Sequence, residues 1–408
     1  MNEIHGSGKK LVELFLNQVG HLAKLVQCVA GVKPTRPSPK ERSATHPVVR
    51  IGFIALVDAL PLLAAEKLGL FAKHGVAVEL TCEVGWATIR EKILYRQLDA
   101  AHAVAGLALS LRLGLDGMTS GAIAPFVFNL HGNAITLGMD LWRRGVRDAA
   151  TLQKLIRSTP QRLFTFGIVS RSSSHHILMR RWLMAGGINP DRDVRIVVLP
   201  PTLMASSLRA GLVDGFCAGE PWNSAAVARG NGWCPAVSKD LAPLHPEKVL
   251  LTTEDFASEK PESLRAVIRA LHEACAWCDR KETRSRAVEI LCASGHFPHE
   301  RETLRASLIG PFLNGAGDEL DVASFHIFHK ENANEPTQER AQWLVHQFLD
   351  HGMIPAHRRS EALRAMDASW RNDLFRDALK GSSAAKPNPT PKSKLRRARK
   401  PGLATALS

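Results

Sequence analysis

Four widely separated residues carry hydrogen-bond donors at junctions between predicted elements: Trp86 in EVGWATIR, Asn133 in FNLHGNAITL, His175 in SRSSSHHILMRRWL and Lys248 in LHPEKVLLT. Trp86 follows a predicted strand and precedes a helix, so its indole N–H and the amides of Ala87 and Thr88 can face one bound group. Asn133 follows Gly132 between two apolar runs, where backbone without a side chain passes close to a ligand. His175 lies in the first turn of a helix after a serine-rich loop, where free N–H groups and the helix dipole favour negative charge. Lys248 brings a full positive charge. Donors plus one cation suit a compact, acceptor-only anion, and such a site needs no acid or base. Each residue alone also fits a plainer role: a core tryptophan, a turn asparagine, a packed histidine, a surface lysine. Asp58 in LVDAL and Glu220 in GEPWN read as orienting or interlobe residues, because a carboxylate touching an anion weakens its binding.

The elements that position these residues alternate between strand and helix. Val48 to Ile54 reads as a buried strand, Pro61 to Leu70 as a helix, Val76 to Thr81 as a strand, Ala87 to Arg96 as a helix and Leu98 to Val104 as a strand. The alternation resumes with strands Leu163 to Val169, Val194 to Leu199 and Gly215 to Ala218, interleaved with helices His175 to Gly186, Thr202 to Ala210 and Pro221 to Arg229. Two α/β units built on parallel sheets, with a crevice between them, are the expected architecture. Helices Leu264 to Asp279, Arg284 to Leu291 and Gln338 to His351 follow and are expected to return to the first unit. The predicted organisation is an extension and linker at 1–46, a first lobe from 47–137 and 238–372, a second lobe at 138–237, and a basic tail at 373–408.

Bulk properties narrow the function classes. The 408 residues suffice for two or three compact units, and 45% apolar composition with 23% charged residues suits a globular body. No run of about twenty apolar residues is present, so no membrane span is expected. The net charge of +14 is partly terminal: KPNPTPKSKLRRARK, from Lys386 to Lys400, holds seven basic residues and no acid. It reads as a solvated tail and lacks the interleaved aromatics that stack nucleic-acid bases. Polar residues interrupt the apolar stretch from Lys9 to Gly31, which fits an amphipathic helix better than an export signal, so a cytoplasmic location is expected. Seven cysteines, odd in number and scattered, make no disulfide framework. The pair Cys275 and Cys278 falls on the apolar face of a predicted helix and reads as core. No glycine-rich phosphate loop of the usual spacing appears, and the residues call for no cofactor and no metal.

In their order and wording, seven blocks resemble the nitrate- and bicarbonate-binding proteins of bacterial ABC importers. They are IGFIALVDALPLLAAEKLGLFAKHGVAVEL, EVGWATIREKI, LDAAHAV, FNLHGNAITL, RRWLMAGGINPDRDVRIVVLPP, DGFCAGEPWNSAAV and HPEKVLLT, all between about residues 48 and 255. The resemblance implies an α/β, two-lobed periplasmic-binding-protein-like fold of type II, with a ligand cleft between lobes and no enzymatic activity. It also implies that Trp86, Asn133, His175 and Lys248 hold nitrate or nitrite. Members commonly carry Gln where this chain has Asn133, a shorter side chain that keeps its donor. Lys248 departs from the calcium-assisted bicarbonate branch, which has an acidic residue there.

Within this family the cytoplasmic expectation favours a nitrate or nitrite sensor that controls an RNA-binding antiterminator of nitrate-assimilation genes. The alternative is the substrate-binding protein of a nitrate ABC transporter, periplasmic and partnered by a permease. A second alternative is an enzyme similar to pyrimidine-precursor synthases. Replacing Lys248 by Ala is expected to abolish nitrate binding and leave the fold intact.

Overall fold

The structure, a computed structural model, describes residues 48–380 with Asp116 and Ala323 excepted. The N-terminal extension with its Lys9 to Gly31 stretch, and the run Lys386 to Lys400, lie outside the described residues.

Strands β1 (Val49–Ile54), β2 (Val78–Glu83), β3 (Ala100–Val104), β4 (Ala122–Ile123) and β5 (Val127–His131) build one sheet. Strands β6 (Asn133–Gly138), β7 (Thr165–Ile168), β8 (Arg195–Val198), β9 (Gly215–Gly219) and β10 (Gly232–Val237) build a second. The chain then returns to the first sheet with β11 (Pro246–Thr253), makes the short pair β12 (Phe312–Leu313) and β13 (Glu319–Leu320), and adds β14 (His326–Ile327). The strand orders are β14-β5-β11-β3-β1-β2, with β4 beside β11, and β10-β6-β9-β7-β8. A mixed α/β body with two sheets, each carrying its own helices, is the fold expected from the sequence.

The sheets are less uniform than expected. β1 pairs in parallel with β2 and β3, and β7 with β8 and β9, as βαβ units require. β11, however, runs antiparallel between β3 and β5, and β6 runs antiparallel to both β9 and β10. These antiparallel strands are the segments that cross from one sheet to the other. The first crossing lies at Gly132, because β6 already pairs within the second sheet, whereas the sequence reading put the boundary after residue 137. Gly132 has φ +101°, and a Cβ there would lie 2.6 Å from the ring of His326, so the turn between β5 and β6 admits only glycine.

Six helices matter for the site and its support: α1 (Leu60–Lys67), α2 (Trp86–Leu94), α3 (Ser174–Ala185), α4 (Pro261–Cys278), α5 (Gln338–Asp350) and α6 (Asn372–Leu379). Pro61 sits in the first turn of α1, where its missing N–H costs nothing, and Leu60, Leu62, Leu63, Ala64 and Ala65 are buried. α1 packs on α4, whose apolar face contributes Leu264, Val267, Ile268, Leu271, Cys275 and Cys278 to the same core. Both cysteines are fully buried, and burial raises both thiols, so the spacing CAWC is a packing feature. Residues 373–379, assigned to the tail from sequence, belong to the folded body, because α6 buries Phe375 and Ala378 against α4. No helix among the described residues is long and apolar enough to cross a membrane.

Candidate functional site

The first sheet supplies the charged floor. Lys248 and Glu247 are consecutive residues of β11, and in a regular strand their side chains would point to opposite faces. The pairing of β11 with β5 is irregular on both sides of Lys248, and there the two side chains meet: Lys248 Nζ lies 2.6 Å from Glu247 Oε1. Nζ also lies 2.7 Å from Asp58 Oδ2, at an angle outside a hydrogen bond. Lys248 and Glu247 are inaccessible to solvent and Asp58 nearly so. Asp58 sits in the turn Val57–Ala59 at the carboxyl end of β1. His102, on β3, places Nε2 3.3 Å from Asp58 Oδ1.

The second lobe closes over this floor through the amino end of α3. Ser173 caps the helix by accepting from the His176 N–H. The next two residues reach across to β11: the Ser174 hydroxyl donates to Glu247 Oε2, and His175 Nε2 lies 3.7 Å from Glu247 Oε1. His245 places Nε2 3.2 Å from Glu247 Oε2 and Nδ1 2.8 Å from the Ala242 carbonyl. At a second interlobe contact the Val57 N–H donates to the Glu220 carbonyl at 2.8 Å, which ties the Asp58 turn to the end of β9. Gly106, after β3, permits a third approach, because a Cβ there would lie 2.2 Å from the Ser172 carbonyl.

Around Lys248 the four predicted donors come together. The Trp86 ring centre lies 5.7 Å from Lys248 Nζ and 6.2 Å from the His175 ring. Asn133 pairs with Gly219 across β6 and β9, and a Cβ at Gly219 would lie 3.5 Å from Asn133 Oδ1 and 3.6 Å from Asp58 Oδ2, so both side chains face one point. Trp86, Asn133 and His175 are buried, and Trp86 Nε1, Asn133 Nδ2 and both ring nitrogens of His175 have no hydrogen-bond partner. Each such group costs about 1–3 kcal/mol while unsatisfied. Several of them converging beside a cation describe a place for a ligand that accepts hydrogen bonds. Of the remaining predicted residues, Gly132 forms the crossing and Glu220 contributes its backbone. Ala87 is exposed and Thr88 half-buried; α2 starts at Trp86 with no side-chain cap, which leaves their amides free of helix partners.

The charges depart from the sequence reading, in which Lys248 stood as an unopposed cation. Burial alone would discharge it, but Asp58 and Glu247 outweigh burial and hold it protonated. Burial also works against Glu247, yet Lys248, His175 and His245 keep its carboxyl well below the usual range. Burial pushes Asp58 up despite Lys248. His175 falls to about 3, driven by burial with Glu247 opposing. The lysine is therefore fully matched inside the protein, and removing it would strand two buried carboxylates, which changes the expectation that Lys248→Ala leaves the fold intact.

Sequence reasoning missed Glu247, His102, His245 and Ser174. Glu247 was masked by strand alternation, which assigns it to the face opposite Lys248. Ser174 had a readable signal, since it sits one residue past a helix cap and beside His175.

The model of the NMT1-like family matches residues 42–292. The nitrate import ATP-binding protein NrtC of Synechocystis is 34% identical over 333 residues, 81% of this chain and 49% of that protein. The bicarbonate transport ATP-binding protein CmpC of Synechococcus elongatus is 33% identical over 312 residues, 75% of this chain and 46% of its own length. The chain thus spans about half the length of these relatives. The nitrate/nitrite binding protein NrtA of Synechocystis is 30% identical over 343 residues, 81% of this chain and 75% of that protein. The crystal structure of periplasmic NrtA from Synechocystis PCC 6803 superposes with a TM-score of 0.78 at 26% identity, covering 82% of this chain and 89% of the other. That likeness establishes the two-lobed, type II periplasmic-binding-protein-like fold. The chain belongs to the NMT1-like family, in the group that contains the nitrate- and nitrite-binding receptors of ABC importers.

Proposed function

We propose that the chain is a solute receptor for nitrate or nitrite, bound between the lobes and delivered to an ABC importer. The observation that carries this reading is the convergence of Trp86, Asn133 and His175, each with unpartnered buried polar atoms, on the Lys248 ammonium. A planar monoanion has acceptors on every edge and satisfies N–H groups arriving from both lobes. Closing the lobes removes water and strengthens those contacts, so ligand selects the closed shape. In this reading the four residues hold the anion, Gly132 sets the interlobe crossing, and the Glu220 carbonyl joins the lobes through the Val57 N–H of the turn that carries Asp58. The named relatives belong to import systems, and NrtA is a periplasmic binding protein, so the transport reading and a periplasmic location take precedence over the cytoplasmic one.

Titration calorimetry of the folded chain with nitrate, nitrite, bicarbonate and a sulfonate tests the proposal. Binding of nitrate or nitrite in preference to the other two is expected. Preference for a sulfonate or bicarbonate would replace the ligand assignment.

A sensing role is the second reading. One observation bears on it: the chain matches about half of two ATP-binding import proteins, so a related sequence also occurs within longer chains named for ATP binding. An RNA-binding antiterminator as partner rests on the resemblance alone. Size-exclusion chromatography of the two proteins with and without nitrate decides it, since a complex that nitrate leaves unchanged, or no complex at all, ends that branch.

A further inference from the structure

Asp58 has no evident place in a site for anions. Its carboxylate touches the one cation that the ligand needs, and as an ionised group it offers a second set of acceptors to a ligand made only of acceptors. The two carboxylates beside Lys248 are unequal, however. Glu247 is held by the Ser174 hydroxyl and faces His245 and Lys248, so it is the standing counter-ion. Neither oxygen of Asp58 has a hydrogen-bond donor in good geometry, and its partners are Lys248 at 2.7 Å and His102 at 3.3 Å. An anion that takes up a position against Lys248 Nζ competes with Asp58 and not with Glu247.

Resting on the anion reading above, we propose that Asp58 takes up a proton when the anion binds. One proton from solvent joins the carboxylate, the Asp58–Lys248 ion pair gives way to Lys248 facing the anion, and the new carboxyl O–H donates to the ligand. The step adds one anion and one proton, so the buried charge does not change. It also turns the acceptor that would repel the ligand into a further donor, beside Asn133, with which Asp58 faces Gly219.

The surroundings support this assignment from every side. Lys248 and Glu247 face Asp58 from β11, His102 from β3 and His326 from β14, while from the second lobe His175 and Cys217 act on Glu247 and Lys248 and the Glu220 carbonyl holds the neighbouring Val57 N–H. Burial lowers His102, His175 and His326, so these imidazoles resist protonation, whereas burial raises Asp58 and predisposes it to accept. His245, whose two ring nitrogens both face oxygens that only accept, lies on the far side of Glu247 and serves that carboxylate.

The test is calorimetric titration of the full chain with nitrate in phosphate and in Tris, buffers of different ionisation enthalpy, from about pH 6 to about pH 9. The heats are expected to differ by the uptake of one proton per nitrate, and Kd to rise about tenfold per pH unit over the alkaline part of the range. In Asp58→Asn, where the amide donates without a proton, Kd is expected to vary less than about twofold over the same range. Infrared difference spectra of the wild type, which need no variant to fold, should gain a carboxylic-acid C=O band when nitrate is added. Nitrate binding with equal heats in both buffers throughout overturns the proposal, as does uptake that persists unchanged in Asp58→Asn or a spectrum that gains only carboxylate bands. A folded chain that gives no heat with nitrate or nitrite fails the anion reading itself and takes this proposal with it.

Discussion

Glu247 and Lys248, adjacent along β11, meet through their side chains at 2.6 Å at the point where the pairing with β5 is irregular. That contact converts two strand neighbours into one buried unit, which Asp58 completes from the turn after β1. The stability of the first lobe and the charge of the site therefore depend on the same ammonium.

Replacing Lys248 by Met is expected to abolish anion binding and to lower stability by about 3–5 kcal/mol, since Asp58 and Glu247 remain buried without their partner. Adding Asp58→Asn should return at least about 1 kcal/mol of that loss. Urea denaturation of the single and double variants checks both figures.

Trp86→Phe keeps the ring over Lys248 and removes only the indole N–H. Nitrate affinity is expected to fall about ten- to a hundredfold, the range for one hydrogen bond to a charged group. Stability of the ligand-free protein should hold or rise slightly, because a buried donor without a partner is gone. Titration and thermal melting separate the two effects.

Gly132→Ala combines a left-handed backbone with a Cβ 2.6 Å from the His326 ring. A loss of at least about 1–3 kcal/mol is expected, measured by urea denaturation, with β5 and β6 unable to hold their present turn.

Burial raises Glu220 to about 7 against an ordinary value of 4.5, with Ser224 and Asn223 opposing. The protonated acid favours the folded state, so its contribution is complete below about pH 4.5 and is lost as pH rises through about 7. Glu220→Gln should remove that loss, and above pH 7 should exceed the wild type by on the order of 3 kcal/mol. Chemical denaturation at several pH values reads the difference.

His131 behaves in the opposite sense. Its Nε2 accepts from the Leu244 N–H at 2.6 Å and its Nδ1 faces the Ser324 carbonyl at 3.1 Å, while burial and then His245 lower it to about 3. A base with a depressed folded value contributes stability above about pH 6.5 and loses it as pH falls toward 3. His131→Gln should therefore lose less stability between pH 6.5 and pH 4, by on the order of 3 kcal/mol.

The βαβ units were legible because parallel strands buried on both faces give plain apolar runs, as in β1 and β3, and because helices such as α4 carry a clear apolar stripe. The crossings were not. β6 and β11 are antiparallel strands paired with partners distant in sequence, and local pattern does not report such partners. Trp86, Asn133 and His175 stand at or beside the start of an element and Lys248 lies inside β11; the four could be named together because the sequence blocks that carry them resemble the family. Glu247 could not, since its position relative to Lys248 depends on an irregularity that no spacing rule encodes. The end of the folded body was misplaced for a similar reason: α6 is amphipathic and short, and only its packing on α4 makes it structure rather than tail.

Ser174 and His175 are consecutive, and both reach Glu247 from the opposite lobe. Two ties are thus carried by one dipeptide: a hinge motion that withdrew the imidazole would also tear the hydroxyl from a carboxylate. Separating the lobes at this end of α3 therefore requires both ties to Glu247 to be given up together.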